Sequence, residues 1–273
     1  MINKISLTVI LFTEFTPKKT YKGWNNIMDS FIAWIGGKKL LRKAIIERFP
    51  KDYDRYIEVF GGAGWVLFGK EYKNELEVFN DIDSELINLY RCIKYHPEEL
   101  QKELDWLLVS RELFNCSKEQ IKSSGLTDIQ RAARYFYLIK SSFGADRRSF
   151  GTNRKNLVSS IDYLKEIHSR LKNVVIENKS YDNIIKVYDR EKALFYLDPP
   201  YYKTEKYYNS DFGLNDHIRL KELLTQIKGK FILSYNDDPF ILDLYSGYHI
   251  EKISRNNNLG KEKDYHEVII RNF

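Results

Sequence analysis

Cysteine is scarce: Cys92 and Cys116 are the two in 273 residues, and neither belongs to a Cys-x-x-Cys pair. A disulfide scaffold and a thiolate zinc site are therefore not expected, and the usage suits a reducing compartment, the cytoplasm. The five histidines, His96, His168, His217, His249 and His266, show no metal-ligand spacing, so no metal is expected and none of them is assigned a catalytic role. Long apolar runs are missing as well. No stretch approaches the ~20 residues of a membrane helix. The run Leu7 to Phe12 follows Lys4 in the manner of a signal peptide, but it is short and leads into Glu14 without a small-residue cleavage pattern. Residues 1–27 read as an extension and not an export signal, and no membrane partner is expected. Internal repeats and low-complexity tracts are absent too.

What is present belongs to a globular chain: 43% of residues are hydrophobic and 30% charged, which argues against disorder. The formal charge of +6 gives a basic surface that attracts polyanions such as nucleic acid in a salt-dependent way. Twenty tyrosines offer stacking surfaces, though an AT-rich coding sequence would enrich tyrosine equally.

From Phe31 onward the pattern becomes regular. Lys38 to Phe49 has helical spacing and stops before Pro50. Arg55 to Phe60 reads as a buried strand ending at Gly61, Gly62 and Gly64, followed by a helix from Ala63 to Tyr72. Glu75 to Phe79 is a second strand and Asp83 to Lys94 a second helix. Strand, glycine turn, helix, strand, acid is the opening of a doubly wound α/β domain. From Pro97 to Lys140 the chain looks wholly helical, with Thr127 or Asp128 as a cap, and Ser141 to Asn156 has turn chemistry. The α/β rhythm then resumes. Helices are expected at Ile161 to Leu171, Tyr181 to Tyr188 and Asn215 to Lys228. Strands are expected at Val174 to Glu177, Ala193 to Leu197 and Lys230 to Tyr235, with a closing hairpin from His249 to Ser254 and Glu267 to Arg271.

Two constellations carry chemistry. Phe60-Gly61-Gly62-Ala63-Gly64 allows close approach of backbone to a cofactor, and Asp81, about twenty residues on, can accept hydrogen bonds from ribose hydroxyls. Taken alone, this is equally a common glycine turn with an acid that caps a helix. Asp198-Pro199-Pro200-Tyr201 at the end of an apolar strand is more specific; a chance match arises in roughly one chain per thousand of this length. The lone pair of an aromatic exocyclic amine is delocalised into its ring. A carboxylate and an oriented backbone carbonyl accepting its two N–H bonds draw the nitrogen toward tetrahedral geometry and free that pair. Two prolines hold the acceptors ready in advance, and Tyr201 can stack on a base swung out of the helix. The rival reading is a proline turn with a capping aspartate.

With these motifs the chain resembles the Dam-like, or D12-class, DNA adenine methyltransferases from Phe31 to Phe273. Ala33 to Lys38 matches the segment that precedes the first strand in that family. Phe60 to Gly64 matches its glycine motif, Asn80-Asp81-Ile82-Asp83 with Leu86, Ile87 and Tyr90 its acidic motif, and Asp198 to Tyr201 its catalytic motif. Phe231 to Ser234 is similar to the strand that follows. The resemblance implies a Rossmann-like class I methyltransferase α/β sheet interrupted by a mostly helical target-recognition insert. The implied division is an extension at 1–27, the catalytic domain at 28–94 and 159–273, and the insert at 95–158. It also implies S-adenosylmethionine as cofactor, bound by Trp34, Lys38, Phe60, Gly61, Gly62, Ala63, Gly64, Asp81, Ile82 and Asp198. Catalysis falls to Asp198, Pro199, Pro200 and Tyr201. The expected reaction is direct transfer to adenine N6 on a flipped base in double-stranded DNA, in the setting of restriction-modification. The alternatives are an N4-cytosine methyltransferase, a catalytically inactive DNA-binding relative and, more distantly, an RNA or protein-amide methyltransferase. Ring-carbon methylation of cytosine, which calls for a cysteine nucleophile, is not expected because neither cysteine lies in a Pro-Cys context.

In the insert, Lys140, Arg147, Arg148, Arg154 and Lys155 cluster among turn residues with Phe143 and Phe150 between them. Arginine suits bidentate contact with guanine and other cations grip phosphates, so these are the expected DNA-binding residues; a solvated basic loop has the same composition. The Asn-Leu-Arg and Phe-Asn-x-Pro-x-Gly pattern of GATC-specific members is missing, so GATC is not assumed, and Ala33 stands where the family often has lysine. Tyr201 to Lys203 and Lys206 to Tyr208 could clamp the flipped nucleotide or form an ordinary lid.

Overall fold

Apolar strands alternating with amphipathic helices form a sheet whose two faces are both covered. The computed structural model describes residues 27–151, 157–203, 212–255 and 265–273. Its strands are β1 (Arg55–Glu58), β2 (Leu76–Asn80), β3 (Val174–Glu177), β4 (Ala193–Leu197), β5 (Lys230–Asn236), β6 (His249–Arg255) and β7 (Tyr265–Arg271). They lie in the order β3-β2-β1-β4-β5-β7-β6. The first five are parallel, and β7 is antiparallel to both β5 and β6. This is the expected Rossmann-like α/β sheet. All five residues of β4 are buried, as a central strand requires.

Helices α1 (Arg42–Ile46), α2 (Trp65–Gly69), α3 (Ser84–Tyr95), α4 (Pro97–Asp105), α5 (Arg111–Gln120), α6 (Asp128–Ser141) and α7 (Leu157–Leu171) pack into one core, which meets the sheet through Tyr56, Phe79, Leu194 and Tyr196. Helices α8 (Tyr181–Tyr188), α9 (Leu214–Gln226) and α10 (Pro239–Leu244) contribute to a second core containing Ile57, Phe195, Phe231 and Tyr235. Each fully buried Leu, Ile, Val or Phe contributes about 1.5–3 kcal/mol, so the alternation of faces along β1 is strongly enforced.

Helices α4 to α6 do not form a detached lobe. The ring of Phe136 in α6 stacks on Phe31, centroids 6.5 Å apart, and Asn88 of α3 donates to the Asp128 carbonyl at 2.8 Å. Helix α6 starts with a complete capping box, Thr127 with Gln130, an arrangement in which two otherwise unpaired N–H groups are satisfied.

Three local expectations change. The helix expected over Lys38 to Phe49 contracts to α1, because Lys38 turns inward and donates to the Gly36 carbonyl at 2.8 Å. The helix expected over Ala63 to Tyr72 contracts to α2. Lys70 leaves the helix in extended conformation and buries its amine against Glu75 and Glu77. Helix α10 is additional: Asp238 caps it through the Phe240 N–H at 2.9 Å, and Pro239 occupies its first turn. The extension assigned to residues 1–27 lies outside the described residues except for Ile27.

Candidate active site

The strand order reverses between β1 and β4, so the connections leaving their carboxyl ends diverge and open a crevice, the usual ligand position in such sheets. Here it is a cavity of about 630 Å³. Its wall includes Trp34, Lys38, Phe60, Gly61, Gly62, Ala63, Asp81, Ile82, Asp198 and Pro200. Nine of the ten expected cofactor residues therefore meet in one place. Gly64 stands just behind, in left-handed conformation (φ 66°) at the start of α2.

Backbone needs explain the glycines. A Cβ on Gly61 would lie 2.3 Å from the Phe79 ring, and Gly61 N–H donates to the Asn80 carbonyl at 2.7 Å. Gly62 has φ 49° and lies against Trp34, which a Cβ would meet at 3.0 Å. Asn80 ties the strand ends together: its side chain donates to the Val59 and Lys179 carbonyls at 2.9 and 3.0 Å and accepts from Lys179 N–H at 2.9 Å. Asp81 is thereby set below the glycine loop. Its two oxygens accept from Gly62 N–H and Asp83 N–H, each at 2.8 Å. Burial nevertheless pushes its carboxyl up to about 6.

On the opposite lip, Asp198 follows β4. Lys38 Nζ reaches Asp198 Oδ1 at 2.8 Å, and Ser234 Oγ donates to the same oxygen at 2.9 Å. Oδ2 has no hydrogen-bond partner among the described residues. Burial raises the Asp198 carboxyl above the usual carboxylate range and Glu267 adds to this, while Lys38 and Ser234 oppose it. Glu267 sits 4.0 Å from Lys38 and accepts the Tyr201 hydroxyl at 2.8 Å. The Lys38 amine lies 4.6 Å from the centre of the Tyr201 ring. Lys38 is thus a cation shared by two acids and one aromatic face.

Comparison with known proteins agrees with this geometry. Residues 34–259 match the D12 class N6 adenine-specific DNA methyltransferase family. The chain belongs to that family. It is 29% identical to the Type II methyltransferase M1.LlaDCHI of Lactococcus lactis subsp. cremoris, over 89% of this chain and 95% of the relative. Identity is 27% to the Type II methyltransferase M.CviBI of Paramecium bursaria Chlorella virus NC1A, over 90% and 100%. A DNA adenine methylase of Haemophilus influenzae is 23% identical over 82% and 85%. The enzyme is accordingly an adenine-specific DNA methyltransferase, and the N4-cytosine and inactive readings are not favoured.

Several residues of this D12 class methyltransferase were not singled out from its sequence. Glu58, the last residue of β1, lines the cavity and accepts from Tyr56 hydroxyl at 2.7 Å and Leu67 N–H at 2.9 Å. Burial pushes it up to about 8. An acid ending the strand three residues before Gly61 was the available signal. Tyr181 and Phe212 join Phe60 in an aromatic wall, with centroids 5.6–5.9 Å apart.

The expected DNA-contacting residues separate. Lys140 is half-buried beside Phe136, and Arg148 is exposed, its carbonyl accepting from Lys118. Arg147 instead turns into the cavity wall. Arg154 and Lys155 lie outside the described residues, as do Lys206 to Tyr208. Among the described residues no helix is long and apolar enough to cross a membrane, and no group of three or more His, Cys, Asp or Glu could hold a metal ion.

Proposed function

We propose that the methyl donor is S-adenosylmethionine, held in the cavity between β1 and β4, and that the target adenine of duplex DNA is flipped out to meet Asp198. The observation that carries this reading is the placement of Asp198 on the cavity wall, one oxygen anchored by Lys38 and Ser234 and the other unpartnered among the described residues. The residues suit the donor: a glycine loop that admits no side chain, an acid with acceptor capacity left on both oxygens, and an aromatic wall for a purine. Trp34, Phe60 to Ala63, Asp81 and Ile82 would hold it. Bound there, S-adenosylmethionine supplies an electrophilic methyl group on sulfur.

The chain's own groups prepare the nucleophile. Asp198 Oδ2 accepts one N–H of the amine, and the backbone carbonyl of the Pro199-Pro200 step accepts the other. The nitrogen lone pair leaves conjugation with the ring. Lys38 favours the ionised form of Asp198 and so opposes the effect of its burial. No cysteine is called on, as direct displacement requires. Tyr201, its hydroxyl anchored on Glu267, presents a ring beside the acceptors on which a flipped base can stack. Residues 95–158 act in this reading as the target-recognition insert, Arg148 and Lys140 facing the duplex, and the name Type II methyltransferase carried by two of the relatives supports a setting in restriction-modification.

Donor binding is testable without DNA. Titration calorimetry with S-adenosylhomocysteine should show one site per chain. Affinity should fall as pH drops through about 6, because Asp81 then takes up a proton and loses acceptor capacity. Asp81→Asn should bind more weakly and lose that pH dependence. A wild-type protein that does not bind, or an Asp81→Asn variant with unchanged affinity and pH response, contradicts the assignment.

A further inference from the structure

Arg147 sits in a tight turn and places its half-buried side chain on the cavity wall. Gly144, Ala145 and Arg147 have φ of 58°, 62° and 58°, two of the three without glycine's freedom. The turn is stitched from within: Asp146 accepts from Arg148 N–H at 2.8 Å, Ser149 N–H at 3.1 Å and Ser149 hydroxyl at 2.6 Å. Phe143 N–H donates to the Ser149 carbonyl at 2.9 Å, and Gly151 N–H to the Ser141 carbonyl at 2.7 Å. The backbone is held against its local preference, and the result is to aim Arg147 inward.

The guanidinium lies between two rings, 5.2 Å from the centre of Trp34 and 5.0 Å from that of Tyr135. Nη1 bonds the Tyr135 hydroxyl and reaches Asp83 Oδ2 at 3.4 Å. Tyr135 hydroxyl itself donates to Asp83 Oδ2 at 2.8 Å. Asp83 Oδ1 caps α3 by accepting from Glu85 and Leu86 N–H at 3.0 and 3.1 Å. Asp83 N–H donates to Asp81, and Asp81 holds Gly62. Trp34, beneath the guanidinium, packs on the same Gly62. A closed circuit therefore runs Arg147, Asp83, Asp81, Gly62, Trp34 and back to Arg147. Both Ala145 and Arg147 line the cavity, while Nε and Nη2 of Arg147 have no hydrogen-bond partner among the described residues.

We infer that Arg147 is a donor-site positioning residue carried by the insert, not a duplex contact. It closes the cavity wall across the seam between insert and sheet and holds Asp83, Trp34 and through them the glycine loop in the donor-binding arrangement. This deepens, and rests on, the assignment of the cavity to S-adenosylmethionine. A base-reading arginine needs its fork exposed to the major groove; this one is stacked, ion-paired and half-buried. Neighbouring Arg148, exposed on the same turn, is the one that can face DNA.

The test is calorimetry of S-adenosylhomocysteine on the full chain in the absence of DNA, with binding to a long unmethylated duplex measured separately. Arg147→Ala should weaken donor affinity at least tenfold and raise the donor KM, with duplex affinity within twofold of wild type. Arg147→Lys, which keeps the charge but not the fork, should recover part of the loss. Tyr135→Phe, which removes a single hydroxyl, should weaken donor binding in the same direction should Arg147→Ala fold poorly. Arg148→Ala should weaken duplex binding and leave donor affinity alone. Wild-type donor binding with Arg147→Ala and Tyr135→Phe unchanged would overturn the inference. So would a loss of duplex affinity confined to Arg147→Ala. Absence of wild-type binding would overturn the cavity assignment beneath it.

Discussion

Asp198→Ala should lower methyl transfer by roughly 10³-fold or more while leaving donor affinity within a few-fold of wild type. The carboxylate is the acceptor that localises the amine lone pair, so its loss is felt in the transition state and not in holding the donor. The fold should survive, because Asp198 makes its contacts through Oδ1 with Lys38 and Ser234 and lies at the end of β4, outside the apolar core. Asp198→Asn should be nearly as inactive. It keeps the shape but replaces an anionic acceptor with a neutral amide. Single-turnover rates on labelled donor, compared with calorimetric affinity, separate the two effects. A variant that retains within tenfold of wild-type turnover would remove Asp198 from the chemistry.

Lys38→Gln is the second large effect, and it carries a pH signature. Lys38 is 5% exposed and stands between Asp198 and Glu267. Without it, burial and the neighbouring Glu267 act on Asp198 against the Ser234 hydrogen bond. The Asp198 carboxyl rises further above its ordinary range. A raised acid stays protonated to higher pH, so the acid limb of kcat/KM should move upward. Activity at neutral pH should fall roughly 10²-fold and recover in part as the pH is raised. Adding Glu267→Gln should move the limb back down, because one of the two facing acids is gone, and the two changes should be strongly non-additive. An unshifted acid limb in Lys38→Gln would contradict the role given to the lysine.

How far the sequence led can be judged from particular residues. Strand β4 was legible because a strand covered on both faces reads as an unbroken apolar run. The glycine and Asp-Pro-Pro-Tyr motifs were legible because each sits next to such a run, where close backbone approach and rigid acceptors are needed. Helix α1 was overread: its apolar spacing extends to Lys38, but the side chain of that lysine turns inward to the Gly36 carbonyl and Asp198, and the helix starts one turn later, at Arg42. Helix α10 was missed although Asp238-Pro239 carries a start signal, since six residues offer too little periodicity to register. Glu267 had no local signal at all. It reaches the site because β7 runs antiparallel beside β5, with Glu267 opposite Asn236 at the strand's carboxyl end. Arg147 looked like its neighbour Arg148 in sequence. What separates them is the left-handed backbone of the turn, which composition does not encode.

The central claim is transfer of a donor methyl group to adenine N6 in DNA. The most direct measurement is to incubate the full chain with unmethylated genomic DNA and S-adenosylmethionine carrying an isotopically heavy methyl group, digest the DNA to nucleosides and analyse them by mass spectrometry. The account predicts the heavy methyl in N6-methyldeoxyadenosine, at a level that saturates once every target site is filled, and none of it with Asp198→Ala. Heavy label in N4-methyldeoxycytidine alone, or in no deoxynucleoside from a protein that binds the donor, would contradict it.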